Sequence, residues 1–328
     1  MKETFHAMAV DIGGTKMSAA VVDSNGKVQD QVITSRVPFT RLGAADQLKI
    51  IDWIRKQRTS FSEQLSGVGL SICGNVDEEN GFVHLSANLH WREIPFGQMV
   101  EQACGLPVVA ATDVCMAALA EMTWGVARGK KFFAWVTIGT GFGGYLVLDG
   151  QLYRGFHGYA GNFGHNTWDE YSNEVCGCGK SGCIEKFVSG PGIAKAGQKK
   201  YSSGGLMTLI DKPHANPLRA EDVFKAASLG DADARAIIDE AIRLTAINLA
   251  GLVNILDLEM LVIGGGVAHA ASDYIDRISL QIRQYLMTTE AKRDLLVVSE
   301  SFTNSALIGS AAAVFQKKGI LVNQGWLV

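Results

Sequence analysis

"MAVDIGGTKMSAAVVDSNGKV" (residues 8–28) and "AWVTIGTGFGGYLVLDGQLY" (134–153) carry one layout twice. Each runs from an apolar strand through a glycine turn into a second apolar strand. An Asn-Gly or Asp-Gly hairpin turn closes each of them. Val10-Asp11-Ile12-Gly13 matches Val136-Thr137-Ile138-Gly139 at the same offset. A unit repeated at half-chain distance predicts two related α/β halves, although any two glycine-closed hairpins share some of this likeness.

The surroundings fit alternating strands and helices. "ADQLKIIDWIRKQ" (45–57) reads as a helix, with Leu48, Ile51 and Ile54 at helical spacing. "SGVGLSICGNV" (66–76) reads as a buried strand, and "PFGQMVEQACG" (95–105) as a helix ending at Gly105. "LPVVAATD" is a strand running into the helix "VCMAALAEMTWG" (114–125). Later, "AEDVFKAASLGDADARAIIDEAIRLTAINLAGLVNIL" (220–256) reads as two helices separated by Gly230 and an Asp231 cap. "LEMLVIGGGVA" is a strand entering a third glycine turn, and the last helix begins after Thr303-Asn304. The one loose stretch is "YSSGGLMTLIDKPHANPL" (201–218).

The chain has 328 residues, enough for two domains with full cores. A net charge of −3 argues against a large nucleic-acid footprint, which needs a clear Lys/Arg excess. The opening "MKETFHAMAVDIGG" has neither the apolar core nor the cleavage site of a signal peptide. No apolar run approaches the ~20 residues of a membrane span. The expectation is a cytoplasmic protein with no membrane and no nucleic-acid partner. Cys73, Cys104 and Cys115 are scattered among apolar residues and read as small core side chains.

Three glycine turns each follow an apolar strand: "DIGGTK" (11–16), "TIGTGFGG" (137–144) and "VIGGGVA" (262–268). Glycine lets backbone N–H groups converge on a polyanion, but it also simply closes hairpins. Asp11, an acid at a strand end beside such a turn, suggests a nucleotide with Mg²⁺ held through its water shell. Asp113 stands between a strand and a helix, where it could be a helix N-cap or a catalytic acid. Cys176, Cys178 and Cys183 with His165 upstream offer three thiolates and an imidazole, the ligand count of a closed structural zinc site. Inert thiols are the plainer alternative, and the Cys-x-x-Cys spacing of a redox pair is missing.

In order along the chain, "DIGGTK", "TIGTGFGG", the "GxxGxxGH" around His165, "CGCGKSGCIE" and "LVIGGGV" resemble the ROK-family sugar kinases. That resemblance implies an α/β fold of two ribonuclease-H-like (actin-like ATPase) domains with a central cleft. The expected division is 1–118 and 119–304, with a C-terminal helix at about 305–328 packing back on the first domain. It implies an ATP- and Mg²⁺-dependent enzyme with structural Zn²⁺, a small-molecule sugar substrate and a homodimeric assembly. With the first glycine loop already at Asp11, the kinase branch is expected in preference to the repressor branch, whose DNA-binding module precedes that loop. The reaction implied is phosphorylation of a hexose or N-acetylhexosamine at its 6-hydroxyl. The alternative is a non-catalytic sugar-binding regulator on the same fold.

Site residues follow from the resemblance position by position. Asp113 matches the catalytic base of the family's Asn-Asp pair, with Thr112 in place of the Asn. Gly74, Asn88, His165 and Glu185 match sugar-binding positions, and Asn162 stands where the family usually has the Glu of "ExGH". The nucleotide is expected on Asp11, Gly13, Gly14, Thr15 and Lys16, on Gly139, Thr140 and Gly141, and on Gly264, Gly265 and Gly266. His165, Cys176, Cys178 and Cys183 are the expected zinc ligands. Asn162 and Thr112 leave the pocket with fewer acceptors than the usual pattern, because an amide has one acceptor oxygen and two donors.

Overall fold

The computed structural model describes residues 4–29, 31–61, 64–203 and 217–321. Its contacts form two compact units, Met1–Lys131 with Tyr145–Ala160 and Glu300–Val328, and Phe132–Gly144 with Gly161–Ser299. Residue 118, the expected division, lies inside a helix, and the first unit continues to Lys131. The loose stretch expected at 201–218 falls largely on 204–216, outside the described residues, as do 322–328 of the expected last helix.

In the first unit, β1 (His6–Ile12), β2 (Lys16–Asp23), β3 (Ile33–Arg36), α1 (Gln47–Ser60) and β4 (Leu65–Ile72) follow in turn. Then come β5 (Asn75–Asp77), β6 (Phe82–Ser86), β7 (Trp91–Ile94), α2 (Phe96–Cys104), β8 (Val108–Thr112) and α3 (Asp113–Thr123). The main sheet has the order β3-β2-β1-β4-β8, with β1, β4 and β8 parallel. β5, β6 and β7 make a separate antiparallel sheet.

Residue size differs between the two faces of the main sheet. Met8, Val10 and Ile12 pair with Val68, Leu70 and Ile72, and these large side chains share a core with Ile50, Ile54 and Phe96. The alternate positions carry small groups, with Ala9 opposite Gly69. That face takes the last helix, α10 (Ser305–Lys317), which also packs on α3. α10 is buried over most of its length, and a Cβ at Gly69 would meet the Ser310 carbonyl oxygen at 2.0 Å. A Cβ at Gly309 would lie 1.6 Å from the Met116 oxygen of α3. Gly309→Ala is therefore expected to destabilise the protein by about 1–3 kcal/mol through overpacking, read from urea unfolding. An unchanged urea midpoint would mean that the two helices can separate freely.

α1 departs from expectation in one respect. Ile50, Ile51 and Ile54 are its buried residues, whereas Leu48 is 72% exposed. Asp46 caps the helix by accepting from the Lys49 N–H at 3.2 Å, so Leu48 stands in the first turn, off the buried stripe.

The second sheet repeats the first. β9 (Phe133–Ile138), β10 (Phe142–Leu148), β11 (Gln151–Tyr153), β12 (Met260–Gly264) and β13 (Leu296–Ser299) take the order β11-β10-β9-β12-β13. The hairpin strands, the parallel strand and the outer parallel strand thus occupy equivalent places. The repeated layout of residues 8–28 and 134–153 is the start of each sheet. In the second unit α4 (Glu185–Val188), α5 (Gly190–Ser202), α6 (Ala220–Ser228) and α7 (Ala232–Leu256) precede β12, while α8 (Tyr274–Ile282) and α9 (Thr289–Asp294) follow it. Asp231 caps α7 by accepting from the Ala234 N–H at 2.9 Å, and Gly230 breaks the chain before it. Among the described residues no helix is long and apolar enough to cross a membrane.

Candidate active site

The first unit gathers two acids at one sheet edge. Parallel strands end together, so Asp11 of β1 and Asp113 just after β8 both lie at the carboxyl edge. The register sets Asp11 opposite Ser71 and Ile72 opposite Thr112. Ser71 donates its hydroxyl hydrogen to Asp11 Oδ1 at 2.6 Å. Burial raises the Asp11 pKa, partly offset by that hydrogen bond and by the charge of Lys16. Among the described residues Oδ2 has no recorded donor, so a hydrated Mg²⁺ fits this carboxylate well.

Asp113 is the first residue of α3 and is not its cap. Thr112 does that work, its Oγ1 accepting from the Cys115 N–H at 3.2 Å. Asp113 Oδ1 accepts from the Val114 N–H at 2.9 Å. Burial, and second to it the negative charge of Asp11, push the Asp113 carboxyl up to about 6. One of the two acceptor positions of the Thr112 hydroxyl is therefore taken by the helix. Replacing Thr112 by Ala is expected to cost about 0.5–2 kcal/mol of stability, measured by denaturant unfolding; no loss would mean that the cap carries no weight.

Around these acids the "DIGGTK" turn runs from Gly13 to Lys16, with the Gly13 N–H donating to the Lys16 oxygen at 3.0 Å. Gly14 lies against Asn88, where a Cβ would meet the Asn88 Cβ at 2.8 Å. Asn88 is thus seated on this glycine turn, and Thr15 is exposed beside it. Gly74 has φ +142°, and a Cβ there would meet the Leu85 oxygen at 2.5 Å, so only glycine fits this turn.

The second unit brings its glycine turns together. The Gly190 N–H donates to the Gly139 oxygen at 2.8 Å, and the Val267 N–H to the Ile138 oxygen at 2.9 Å. Gly264 ends β12, and Gly265 takes the left-handed conformation at φ +95°. Beside them lies a cavity of about 490 Å³, with Gly139, Thr140 and Gly266 on one side and Pro191, Leu218 and Ala220 among its apolar walls. Gly141 is held by Glu185: the Phe142 N–H donates to Glu185 Oε2 at 3.0 Å, and a Cβ on Gly141 would meet that oxygen at 2.8 Å.

His165, Cys176, Cys178 and Cys183 also converge, with their donor atoms all within 4.8 Å of one another. Cys176 Sγ lies 3.5 Å from His165 Nδ1, and Cys178 Sγ lies 3.5 Å from Cys183 Sγ. In a tetrahedral zinc site neighbouring sulfur and nitrogen donors stand roughly 3.5–3.8 Å apart, the spacing of these two pairs, so the cluster suggests such a site. Cys176 Sγ is also 3.6 Å from Glu185 Oε1. Glu185 consequently joins the cysteine cluster to the second glycine turn. Asn162 is exposed and precedes the short 3-10 turn Phe163–His165.

Sequence reasoning missed Ser71, whose pairing with Asp11 depends on long-range strand register. The visible signal was a hydroxyl inside the otherwise apolar run "VGLSIC". Glu78 was missed as well: it is buried, accepts from Tyr145 Oη at 3.1 Å and pairs with Arg154 Nε at 2.6 Å.

Two glycine-turn hairpins heading two equivalent mixed sheets define the class of the actin-like ATPase fold. The ROK family profile matches residues 7–318, and this chain belongs to the ROK family. A glucokinase of Halalkalibacterium halodurans is 31% identical over 319 residues, covering 95% of each chain. An N-acetylmannosamine kinase of Salmonella paratyphi A is 28% identical over 310 residues, 93% of this chain and 96% of that one. Among solved structures, a ROK-family glucokinase from Streptomyces griseus in complex with glucose and AMPPNP is similar with TM-score 0.79 and 29% identity, covering 93% of this chain and 98% of that one.

Proposed function

We propose that this protein is an ATP-dependent sugar kinase that phosphorylates a hexose or N-acetylhexosamine at its 6-hydroxyl in the cytoplasm. The names of its glucokinase and N-acetylmannosamine kinase relatives support the class, and the AMPPNP complex supports the donor. The observation that carries the mechanism is Asp113: a carboxylate released from capping duty, at the same sheet edge as Asp11, and poised near pH 6. A base must be unprotonated at working pH yet basic enough to draw a proton as the bond to phosphorus forms. Asp113 would take the proton of the sugar hydroxyl as that oxygen bonds the γ-phosphorus. The bond from that phosphorus to the bridging oxygen of ADP breaks at the same time.

Asp11 would hold Mg²⁺ through water, and a bound Mg²⁺ neutralises charge on the donor phosphates. Gly13, Gly14, Thr15 and Lys16 of the first unit, and Gly139, Thr140, Gly141 and Gly264 to Gly266 of the second, are assigned to the nucleotide, their glycine turns leaving backbone N–H groups free to approach phosphate. The apolar walls at Pro191, Leu218 and Ala220 suit the nucleoside. Gly74, Asn88, Asn162, His165 and Glu185 are assigned to the sugar, with Thr112 supporting Asp113 as its helix cap. His165, Cys176, Cys178 and Cys183 would hold zinc, with His165 Nδ1 on the metal side and the opposite ring edge left for the sugar. Asn162, in place of a carboxylate, marks the substrate as one supplying an acceptor of its own, such as an N-acetyl group.

A coupled ADP-release assay across glucose, fructose, mannose, allose and the N-acetylated hexosamines tests the proposal. The expected outcome is turnover with at least one hexose or N-acetylhexosamine. Silence with all of them at millimolar concentration, zinc being present, would favour the non-catalytic regulator. The pH profile is a second test. Protonated Asp113 cannot accept, so kcat/KM for the sugar should fall about tenfold per unit below about pH 6 and stay level above it. A flat profile down to pH 4.5 would exclude this carboxylate as the base. A homodimer is the expected assembly, to be read from light scattering.

A further inference from the structure

The small-residue face of the first sheet changes character at its carboxyl edge. Following the register across four strands, Thr34, Ser18, Asp11 and Ser71 lie in one polar row on this face. Ser18 Oγ and Thr34 Oγ1 stand 3.4 Å apart, and Ser71 bonds Asp11. The next pair outward is Lys16 opposite Arg36. Directly opposed residues of an antiparallel pair put their side chains on the same side, so two cations face the same space. Like charges opposed in that position are unfavourable, and an anion bound between them would relieve the repulsion. Among the described residues Arg36 has no recorded side-chain hydrogen bond or ion pair, while Lys16 acts on the Asp11 carboxylate.

Arg36 is also fixed beside the phosphate turn. The N–H of the next residue, Val37, donates to the Thr15 oxygen at 3.0 Å, and Thr15, Lys16, Thr34, Ser35 and Arg36 line a groove of about 610 Å³. Two exposed cations and three hydroxyl groups surround it, with no carboxylate in the lining. A guanidinium suits a phosphoryl dianion because its planar fork gives two parallel N–H donors.

We propose that Arg36, across the strand pair from Lys16, completes a subsite for the terminal phosphoryl group of the nucleoside triphosphate donor. The assignment rests on reading residues 11–16 as the phosphate turn. It makes Arg36 a donor-discriminating residue: it contacts the group that ATP has and ADP lacks. The same contact favours release of ADP once the phosphoryl group has left.

Calorimetric titration of the full chain with Mg·ATP, Mg·ADP and inorganic phosphate tests it. In Arg36→Ala, ATP affinity is expected to fall at least tenfold while ADP affinity changes less than twofold. The sugar KM should be unchanged, and the thermal midpoint should not fall, because a like-charge pair has been removed. Arg36→Lys, keeping the charge without the fork, should lie between. Equal losses for ATP and ADP, or none for either, would overturn the proposal while leaving the phosphate turn in place. Inorganic phosphate binding more tightly than ATP would give the groove to a free anion and overturn the donor assignment. If the wild type binds neither nucleotide, the reading of residues 11–16 itself falls and takes this proposal with it.

Discussion

Replacing Asp113 by Asn is expected to lower kcat by about 10³-fold while leaving sugar affinity nearly unchanged. The amide keeps an oxygen that can accept from the Val114 N–H, so the start of α3 should hold its shape. What disappears is the capacity to accept a proton. Stability should move the other way. The native Asp113 pKa, at about 6, lies above its ordinary value, so the native state binds the proton more tightly than the unfolded chain. The stability contributed by this group is therefore fully present at low pH and is lost as pH rises through about 6. Above that pH the Asn variant should be more stable than wild type, by about 1–3 kcal/mol. A variant that loses activity and stability together at pH 8 would instead have lost its fold. Equal turnover by the variant would remove Asp113 from the mechanism.

The second large effect is expected at the cysteine cluster. Cys183 is buried, and its Sγ lies near Cys178 Sγ and the His165 oxygen. Cys183→Ser should purify with little zinc where the wild type carries close to one per chain. It should also lose at least tenfold in kcat. The loss would arrive indirectly. Without the metal, His165 and Cys176 no longer fix Glu185, and Glu185 no longer fixes the Phe142 N–H of the second glycine turn. Metal analysis with activity on one preparation decides it: a zinc-free, stable variant with wild-type turnover would refute a structural metal here.

Much of this was legible in the sequence, and what was not has physical reasons. The paired hairpins were visible because their apolar runs, glycine turns and Asn-Gly or Asp-Gly corners are local signals, and they mark the start of two equivalent sheets. The β5-β6-β7 sheet left no comparable trace. Its strands are short, Leu85 and Arg92 face solvent, a bulge interrupts Asn75 and Val76, and His90 and Glu93 take positive φ. Helical spacing alone put Leu48 on the stripe of α1, but the capped first turn turns it outward. Asp113 read locally as a possible cap, and only the hydrogen bond from Cys115 to Thr112 shows which of the two neighbours does that work. Ser71 and Arg36 matter through strand register, which joins residues far apart in the chain and cannot be read from either segment by itself.

The placement of α10 has a consequence for how the chain is made. Its small-residue surface completes the core of a unit whose first 131 residues are synthesised long before it. At roughly 5–20 residues per second, the ~185 residues between Lys131 and the end of α10 occupy the ribosome for about 10–40 seconds. Through that interval Ala9, Gly69 and the buried side of α3 wait without their partner. The nascent N-terminal sheet therefore spends its youth with an apolar face open to chaperones and to other chains, and a truncation before Ser305 would make that state permanent.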